Sequence, residues 1–206
     1  MKPSIQGLYA ITPDEVNTDL LLIKVEAALK GGVSLLQYRN KVAHHKLKTQ
    51  QARELLPLCR LYKVPFIIND SVKICLTLDA DGVHLGADDG DLTEVRARLG
   101  DDKILGASCY NQFDLARQAQ QAGVDYIAFG ACFASLTKPN APVAQLNLFT
   151  RTKAELNLPT VAIGGITLAN TPQVLKAGAT SIAVIQAIFS ANDITFTSQQ
   201  FSNLFH

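Results

Sequence analysis

The sequence has almost no net charge, no long apolar run and no closely spaced pair of cysteines. A formal charge of +1 argues against a global field for nucleic acid or an anionic membrane. No segment approaches the roughly 20 consecutive apolar residues that a membrane helix needs. The apolar stretch near the N-terminus is too short for a signal peptide. We therefore expect neither nucleic acid nor a membrane as a partner.

The cysteines are too far apart in the chain for a CxxC metal or redox motif, since they stand at Cys59, Cys75, Cys109 and Cys132. Four such residues are most simply interpreted as core side chains of a protein in a reduced compartment. We therefore expect a cytoplasmic protein. The sequence leaves the oligomeric state open, a homo-oligomer included.

The 206 residues, 48% hydrophobic and 18% charged, are typical of one globular domain, and we expect residues 1–206 to form it. Short β-branched runs alternate with helical patterns along the whole chain. The runs predict eight strands, at Leu8–Thr12, Ser34–Tyr38, Pro65–Asn69, Gly82–Leu85, Ile104–Ser108, Tyr126–Gly130, Thr160–Ile163 and Ser181–Val184. The clearest helices are predicted at Asp19–Lys30, Ala43–Tyr62, Gln112–Ala122, Ala144–Leu156 and Ala169–Lys176, with shorter ones near Asp70–Leu78 and Thr93–Leu99.

Strands that are apolar on both faces indicate a parallel sheet covered on both sides. Eight alternating β/α units favour an α/β fold of the closed (β/α)8 TIM-barrel type. The alternative is an open, doubly wound sheet. No GxGxxG or GxxxxGK[ST] motif follows the first strand, which weakens that alternative. In a barrel, functional residues belong where the strands end.

The second predicted strand ends in Gln37-Tyr38-Arg39-Asn40-Lys41. Alternation along an extended chain places Gln37, Arg39 and Lys41 on one side. An amide and two cations suit a polyanion such as diphosphate. The alternative is a solvated loop with surface charges.

Acidic residues follow the third and fourth strands, at Asn69-Asp70 and at Asp88-Asp89. Neighbouring parallel strands lie about 4.8 Å apart, so carboxylates from the two loops can share one Mg²⁺, which commonly takes one or two carboxylates with substrate phosphates. Asp70 is alternatively a helix N-cap, and the other two are alternatively turn residues. His84 is interpreted as a structural residue.

The loop after the sixth strand is the longest at this end, and it carries the polar side chains Ser135, Thr137 and Lys138. Such a loop can close over a substrate, or it can be a surface loop shaped by its prolines. The fifth strand ends at Ser108-Cys109, where the hydroxyl is a possible donor and the thiol has no activating base nearby in the sequence.

Gly164 and Gly165 follow the seventh strand, and Ile185-Gln186 follows the eighth. Glycines allow a close approach of the backbone to a ligand, and loops seven and eight commonly bind phosphate in barrels. A tight turn is the simpler alternative for the two glycines.

Together these motifs resemble the thiamine phosphate synthase family from about Leu8 to Ile188. The matching segments are Gln37-x-Arg39-x-Lys41, Asn69-Asp70, Ala80-Asp81-Gly82-Val83-His84-Leu85-Gly86-x-x-Asp89, Ser135-x-Thr137-Lys138 and Ile163-Gly164-Gly165-Ile166. The resemblance implies a Mg²⁺-dependent (β/α)8 barrel. It also implies condensation of 4-amino-2-methyl-5-(diphosphomethyl)pyrimidine with 4-methyl-5-(2-phosphoethyl)thiazole to thiamine phosphate and pyrophosphate.

The resemblance also implies roles for single residues. The pyrimidine diphosphate would be held by Gln37, Tyr38, Arg39, Asn40, Lys41, Asn69, Ser108 and Lys138, of which Arg39, Lys41 and Lys138 would act in catalysis. Asp70 and Asp89 would bind Mg²⁺. The thiazole phosphate would be held by Ser135, Leu136, Thr137, Gly165, Ile185 and Gln186. The sequence departs from the family pattern at Asn40, Ala87, Ser135 and Gln186, where the family usually has an acid, Gln, Thr and a small hydroxyl residue.

Three other functions fit parts of this pattern. A thiazole tautomerase of the same barrel family has no diphosphate to expel and little need for Lys138 with two acidic metal ligands. A non-catalytic sensor would bind a phosphate ligand only. A phosphosugar isomerase or aldolase would need a Glu or a Schiff-base Lys near a carbonyl, and the sequence offers no clear one.

Overall fold

A closed, all-parallel barrel of eight strands is formed by the residues that the computed structural model describes, 2–134 and 143–205. Each strand pairs with its neighbours in chain order, and the first pairs with the last, Leu8 lying opposite Ile182. This closure confirms the TIM-barrel prediction and excludes the open, doubly wound sheet. The strands are β1 Gly7–Ile11, β2 Leu35–Tyr38, β3 Phe66–Asn69, β4 Gly82–Leu85, β5 Ile104–Tyr110, β6 Tyr126–Phe129, β7 Thr160–Ile163 and β8 Ser181–Val184.

Helices cover the outside of the barrel and alternate with the strands. They are α1 Thr18–Lys30, α2 His45–Leu61, α3 Val72–Leu78, α4 Leu92–Leu99, α5 Phe113–Gln121, α6 Asn147–Glu155, α7 Thr171–Ala177, α8 Gln186–Phe189 and α9 Ile194–Ser202, followed by a short 3-10 turn at Asn203–Phe205. The predicted elements are thus confirmed, with their ends shifted by up to three residues. Among the described residues, no helix has the length and apolar composition to cross a bilayer.

The helix ends differ in detail from the sequence-based expectations. Asn17 caps α1, because its side chain accepts from the backbone N–H of Leu20 at 3.0 Å. Ser71 caps α3, which removes the N-cap alternative for Asp70. Pro57 lies inside α2 without ending it. The prolyl ring blocks one helical hydrogen bond, but Pro57 is exposed, where water can satisfy the carbonyl.

Side chains that precede three even-numbered strands set the register at the N-terminal end of the barrel. Asp81 accepts from the backbone N–H of Phe66 at 2.8 Å, and Asp125 accepts from that of Leu105 at 2.8 Å. The Thr180 hydroxyl accepts from the backbone N–H of Thr160 in β7 at 3.0 Å. Each contact satisfies a backbone N–H at the start of a neighbouring strand, so this end of the barrel serves stability.

The inside of the barrel is filled by a small cluster that includes the rings of Tyr9 and Tyr126, which are 1% and 0% exposed. His84 lies beside them, and its Nδ1 is 3.0 Å from the Tyr126 hydroxyl. Burial lowers the pKa of His84 from its ordinary value of 6.5 to about 4. His84 is therefore neutral at physiological pH.

Replacement of Asp125 by alanine should lower the free energy of unfolding by about 2 kcal/mol. The substitution removes the acceptor of the Leu105 N–H and the partner of Arg96, whose guanidinium lies 2.6 Å from the carboxylate. Urea denaturation measures the change. The exposed Asp101→Ala is the control, and we expect it to stay within about 0.5 kcal/mol of the parent. An Asp125→Ala protein as stable as the control would contradict the role of this carboxylate.

Acidification from pH 7 to pH 5 should destabilise the protein by about 2 kcal/mol through His84 alone. The pKa of His84 is lower in the folded state. Below pH 6.5, His84 therefore becomes protonated in the unfolded chain but stays neutral in the folded one. The stabilisation is therefore present above pH 6.5 and is lost as the pH falls towards 4. Urea denaturation at both pH values should show a smaller pH dependence for His84→Gln. An equal dependence in both proteins would contradict this prediction.

Candidate active site

A cavity of about 730 Å³ opens at the C-terminal ends of the strands. All eight strands or the loops that follow them contribute to its walls. The floor is formed inside the barrel by side chains such as Tyr9, Ala128 and Val161, and the rim is polar. The strand ends singled out in the sequence therefore meet in one place.

The end of β2 brings an amide and two cations to this cavity. Gln37, Arg39 and Lys41 all line it, as the alternation of the strand predicts. The Arg39 guanidinium lies 3.2 Å from the Asp14 carboxylate, and the Lys41 ammonium pairs with Asp70. One wall of the cavity therefore carries two positive charges held by acidic neighbours.

Asp14 holds this wall in place and was missed by the sequence analysis. Its carboxylate accepts from Arg39 and also from the backbone N–H of Lys41, at 2.6 Å. Asp14 stands three residues after the end of β1, so a search of every strand end for acids would have found it. Its partners across the barrel mouth are visible only in three dimensions.

Tyr38 and Asn40 do not line the main cavity, although both were predicted to hold the pyrimidine diphosphate. The Tyr38 hydroxyl donates to Gln51 on α2 at 2.8 Å. The Asn40 amide donates to Gln51 and to the carbonyl of Glu15, and its oxygen accepts from the N–H of Ala43. Both side chains alternate away from Gln37 and Arg39, and both stabilise the packing of α2 on the barrel.

The loops after β3 and β4 bring two carboxylates together. Asp70 and Asp89 both line the cavity, and Asp70 is close enough to affect the pKa of Asp89. Burial, followed by the neighbouring Asp70, raises the pKa of Asp89, although the Gly86 N–H donates to it at 2.7 Å. Asp70 also has a φ of 61°, a strained conformation for a residue other than glycine. Two acids held this close are a suitable pair of ligands for a divalent cation.

The carboxylate pair does not complete a metal site by itself. Within residues 2–134 and 143–205, no group of three or more His, Cys, Asp or Glu side chains could hold a metal ion. A hard cation at Asp70 and Asp89 would complete its shell with water and ligand oxygens, as Mg²⁺ commonly does. Asp88 is exposed and does not line the cavity.

A chain of hydrogen-bonded side chains crosses the floor of the cavity. Gln37, Tyr9, Tyr126, His84 and Ser108 follow one another at distances of 2.9, 2.8, 3.0 and 2.9 Å. The two ends of this chain were predicted as site residues from the sequence, and its three central members were not. It interpreted His84 as structural, and here His84 is both buried and part of the cavity lining. A polar residue at an inward position of a barrel strand was the available signal.

The loops after β7 and β8 form the opposite wall, where Gly165, Ile185 and Gln186 line the cavity. Gly165 has a φ of 64°, and a Cβ on it would lie 2.4 Å from the carbonyl oxygen of Ala134. A glycine is therefore required for these loops to pack together. Asn69 lines the wall on the β3 side. Ser135, Leu136, Thr137 and Lys138, which were also predicted as site residues, lie outside the described residues.

Comparison with known proteins agrees with this geometry. The sequence model of the family described as "Thiamine monophosphate synthase" matches residues 8–188. The "Thiamine-phosphate synthase" of Methylobacillus flagellatus is 56% identical over 204 residues, covering 99% of this chain and 97% of its own. That of Aromatoleum aromaticum is 49% identical and covers 98% and 97% of the two chains.

Solved structures show the same relationship. The thiamine phosphate pyrophosphorylase from Pyrococcus furiosus has a TM-score of 0.87 and 32% identity, covering 97% of this chain and 95% of its own. A 3-hexulose-6-phosphate synthase, with a TM-score of 0.69, 16% identity and coverage of 96% and 99%, shares the fold alone. The chain therefore belongs to the thiamine monophosphate synthase family.

Proposed function

We propose that this chain condenses 4-amino-2-methyl-5-(diphosphomethyl)pyrimidine with 4-methyl-5-(2-phosphoethyl)thiazole, giving thiamine phosphate and pyrophosphate. The observation that carries the proposal is the single cavity in which cations, a carboxylate pair and a polar floor converge. Membership of the family supports the same reaction. Because β1 pairs with β8, we also propose that residues 1–206 act as one barrel domain.

The diphosphate belongs on the wall formed by β2 and β3. Arg39 and Lys41 supply positive charge there, and Asn69 supplies an amide on the neighbouring strand. Gln37 and Ser108 lie deeper, where a pyrimidine ring can meet their polar atoms. Lys138 is the third cation of the proposal, and its assignment rests on the sequence motif.

Mg²⁺ would be held by Asp70 and Asp89, because both carboxylates line the cavity from the loops that follow two neighbouring strands. When bound, the ion would neutralise charge that develops on the leaving diphosphate. Burial, and after it the neighbouring Asp70, raises the pKa of Asp89, as expected for two carboxylates that share one site.

The thiazole phosphate belongs on the wall formed by the loops after β7 and β8. Ile185 and Gln186 stand where α8 begins, and the first backbone N–H groups of a helix have no acceptor within the helix. The nearby Gly165 also lines this wall, and its lack of a side chain lets the loop after β7 pack against Phe133 and Ala134. Ser135, Leu136 and Thr137 complete the proposed phosphate contacts on the basis of the sequence alone.

The reaction needs no protein nucleophile. The C–O bond between the pyrimidine methylene and the diphosphate breaks first, and its electron pair leaves on the diphosphate oxygen. The lone pair of the thiazole nitrogen then forms the new C–N bond with the methylene carbon. Cys109 lies near the end of β5, next to Ser108, but its thiol is buried, and burial raises the pKa of the thiol to about 12. The protein's part is to hold the rings in line and to stabilise the leaving group.

Mixing both substrates with the full-length protein and Mg²⁺ should release one pyrophosphate for each thiamine phosphate formed. Neither product should appear when either substrate is left out, and removal of Mg²⁺ with a chelator should suppress both. A coupled pyrophosphate assay with chromatography of the product measures this. Conversion of a thiazole tautomer without pyrophosphate release would indicate a tautomerase, and ligand binding without turnover would indicate a sensor.

Arg39→Ala should reduce turnover at saturating substrates at least about a hundredfold, because a donor aimed at developing charge contributes on the order of 3 kcal/mol. The matched control is Arg53→Ala, which removes an exposed arginine on α2. Its turnover should equal that of the parent protein. Lys138→Ala should show a loss of the same size as Arg39→Ala. Wild-type turnover of Arg39→Ala would remove this residue from the proposed mechanism.

Asp89→Asn should raise the Mg²⁺ concentration needed for half of the maximal activity at least about tenfold, since even residues that only orient metal ligands have effects of this size. Asp88→Asn is a control one residue away, because Asp88 is exposed and lies outside the cavity. Mg²⁺ titration of the initial rate compares the two variants. An unchanged requirement in Asp89→Asn would exclude this carboxylate from the metal site.

A further inference from the structure

The hydrogen-bonded side chains across the cavity floor can be arranged so that each one accepts a hydrogen bond from one neighbour and donates to the next, because each has few hydrogens to donate. Gln37 Nε2 donates to the Tyr9 hydroxyl at 2.9 Å. The Tyr9 hydroxyl accepts this hydrogen bond and still has its own hydrogen to donate. The nearest acceptor for that hydrogen is the Tyr126 hydroxyl oxygen, at 2.8 Å. In the order of donors that continues from this contact, Tyr126 donates its hydrogen to Nδ1 of His84, which lies 3.0 Å from the Tyr126 hydroxyl.

The direction continues through the imidazole. A neutral histidine that accepts at Nδ1 carries its hydrogen on Nε2, and Nε2 lies 2.9 Å from Ser108 Oγ. Ser108 therefore accepts from His84, and its own hydroxyl hydrogen is left to point elsewhere. At the other end, the Gln37 nitrogen is engaged with Tyr9, which leaves the amide oxygen for the cavity. Both terminal residues line the cavity wall.

We propose that Tyr9, Tyr126 and His84 are positioning residues that make Gln37 an acceptor and Ser108 a donor towards the substrate, and thereby select a 4-aminopyrimidine ring. This inference rests on the proposed function. A 4-aminopyrimidine offers an amino N–H next to a ring nitrogen with a lone pair. Its 4-oxo analogue offers a carbonyl next to a ring N–H, which is the reverse pattern.

The hydrogen-bonded side chains from Gln37 to Ser108 are called the relay here, and burial keeps the two phenols of this relay neutral. Tyr9 and Tyr126 are almost fully buried, and burial raises the pKa of both phenols above the ordinary value, so they retain their hydrogens. The two ring nitrogens of the buried His84 each face one hydroxyl, that of Tyr126 at 3.0 Å and that of Ser108 at 2.9 Å, so a single ring hydrogen satisfies both contacts. A second hydrogen on His84 would end the one-way order of donors and acceptors.

The barrel makes room for the relay at one specific position. The members come from five different strands, β1, β2, β4, β5 and β6. On β5, Gly106 lies directly against the Tyr126 ring, where an added Cβ would fall 2.1 Å from the ring carbon Cζ. A glycine is required there for Tyr126 to cross the barrel and reach both Tyr9 and His84.

A site that binds a substrate through buried hydrogen bonds discriminates strongly against an analogue that reverses them, because the buried polar groups are then left unpaired. The three central residues contribute by fixing the orientation of the two end groups. Their loss should therefore affect the choice between ring analogues and leave the thiazole phosphate contacts unchanged.

The tautomer of His84 is the first test. Nitrogen NMR of the uniformly labelled full-length protein at pH 7 should show His84 as the neutral form with hydrogen on Nε2, and His84→Asn assigns the signal by its disappearance. Hydrogen on Nδ1, or a cationic imidazole, would overturn the proposed direction. This measurement requires no variant other than the one used for assignment.

The second test compares kcat/KM for the 4-amino substrate with that for its 4-oxo analogue. Tyr126→Phe should lower this ratio at least about tenfold, the size expected for one buried hydrogen bond, with the KM for thiazole phosphate unchanged. Tyr62→Phe is the matched control, because its hydroxyl bonds Glu26 on the outside of the barrel, and it should keep the parent ratio. Tyr9→Phe replaces Tyr126→Phe if the latter does not fold.

Where the 4-oxo analogue is not turned over, its inhibition constant replaces kcat/KM in the comparison. A ratio in Tyr126→Phe or Tyr9→Phe equal to that of the parent would overturn the relay. Absence of pyrophosphate release by the parent protein with the 4-amino substrate would instead overturn the proposed function. The two failures are therefore distinguishable.

Discussion

Backbone hydrogen bonds between β1 and β8 are the constraint on which the rest of this molecule depends. They join strands about 170 residues apart in the chain and close the sheet, so that no strand edge is left in the barrel. Closure turns eight separate strand ends into one ring of loops, and the cavity lies inside that ring. The capping side chains Asp81, Asp125 and Thr180 hold the opposite end in register, which leaves the loop end available for chemistry.

The electrostatics of the cavity follow from which loops of this ring carry basic side chains and which carry acidic ones. Arg39 and Lys41 face the cavity from β2, and Asp70 and Asp89 face it from the two following loops. Each cation contacts an acid, so the wall carries little net charge while it keeps separate positive and negative groups for a polyanion and a cation. Burial and, after it, the proximity of Asp70 raise the pKa of Asp89, so the carboxylate pair favours a state that carries less than two negative charges.

Polar groups buried inside a barrel are costly unless they have hydrogen-bond partners. The chain from Gln37 to Ser108 meets this requirement with five neutral groups, and it reaches the cavity at both ends. The same contacts that satisfy the interior therefore orient the two groups that a ring-shaped ligand would meet first. Stability and specificity are served by one set of hydrogen bonds at the floor of the site.

Local sequence patterns were sufficient to predict the alternation of strands and helices, the barrel class, and the strand ends that carry polar residues. These features depend on local patterns, and the observed bounds of β4, β7 and β8 equal the predicted ones. Only the tertiary structure decided that Tyr38 and Asn40 face α2, that Asp14 holds Arg39, and that His84 belongs to the cavity floor. The physical reason is that these contacts join residues far apart in the chain, and barrel closure, not the local pattern, decides which side chains meet.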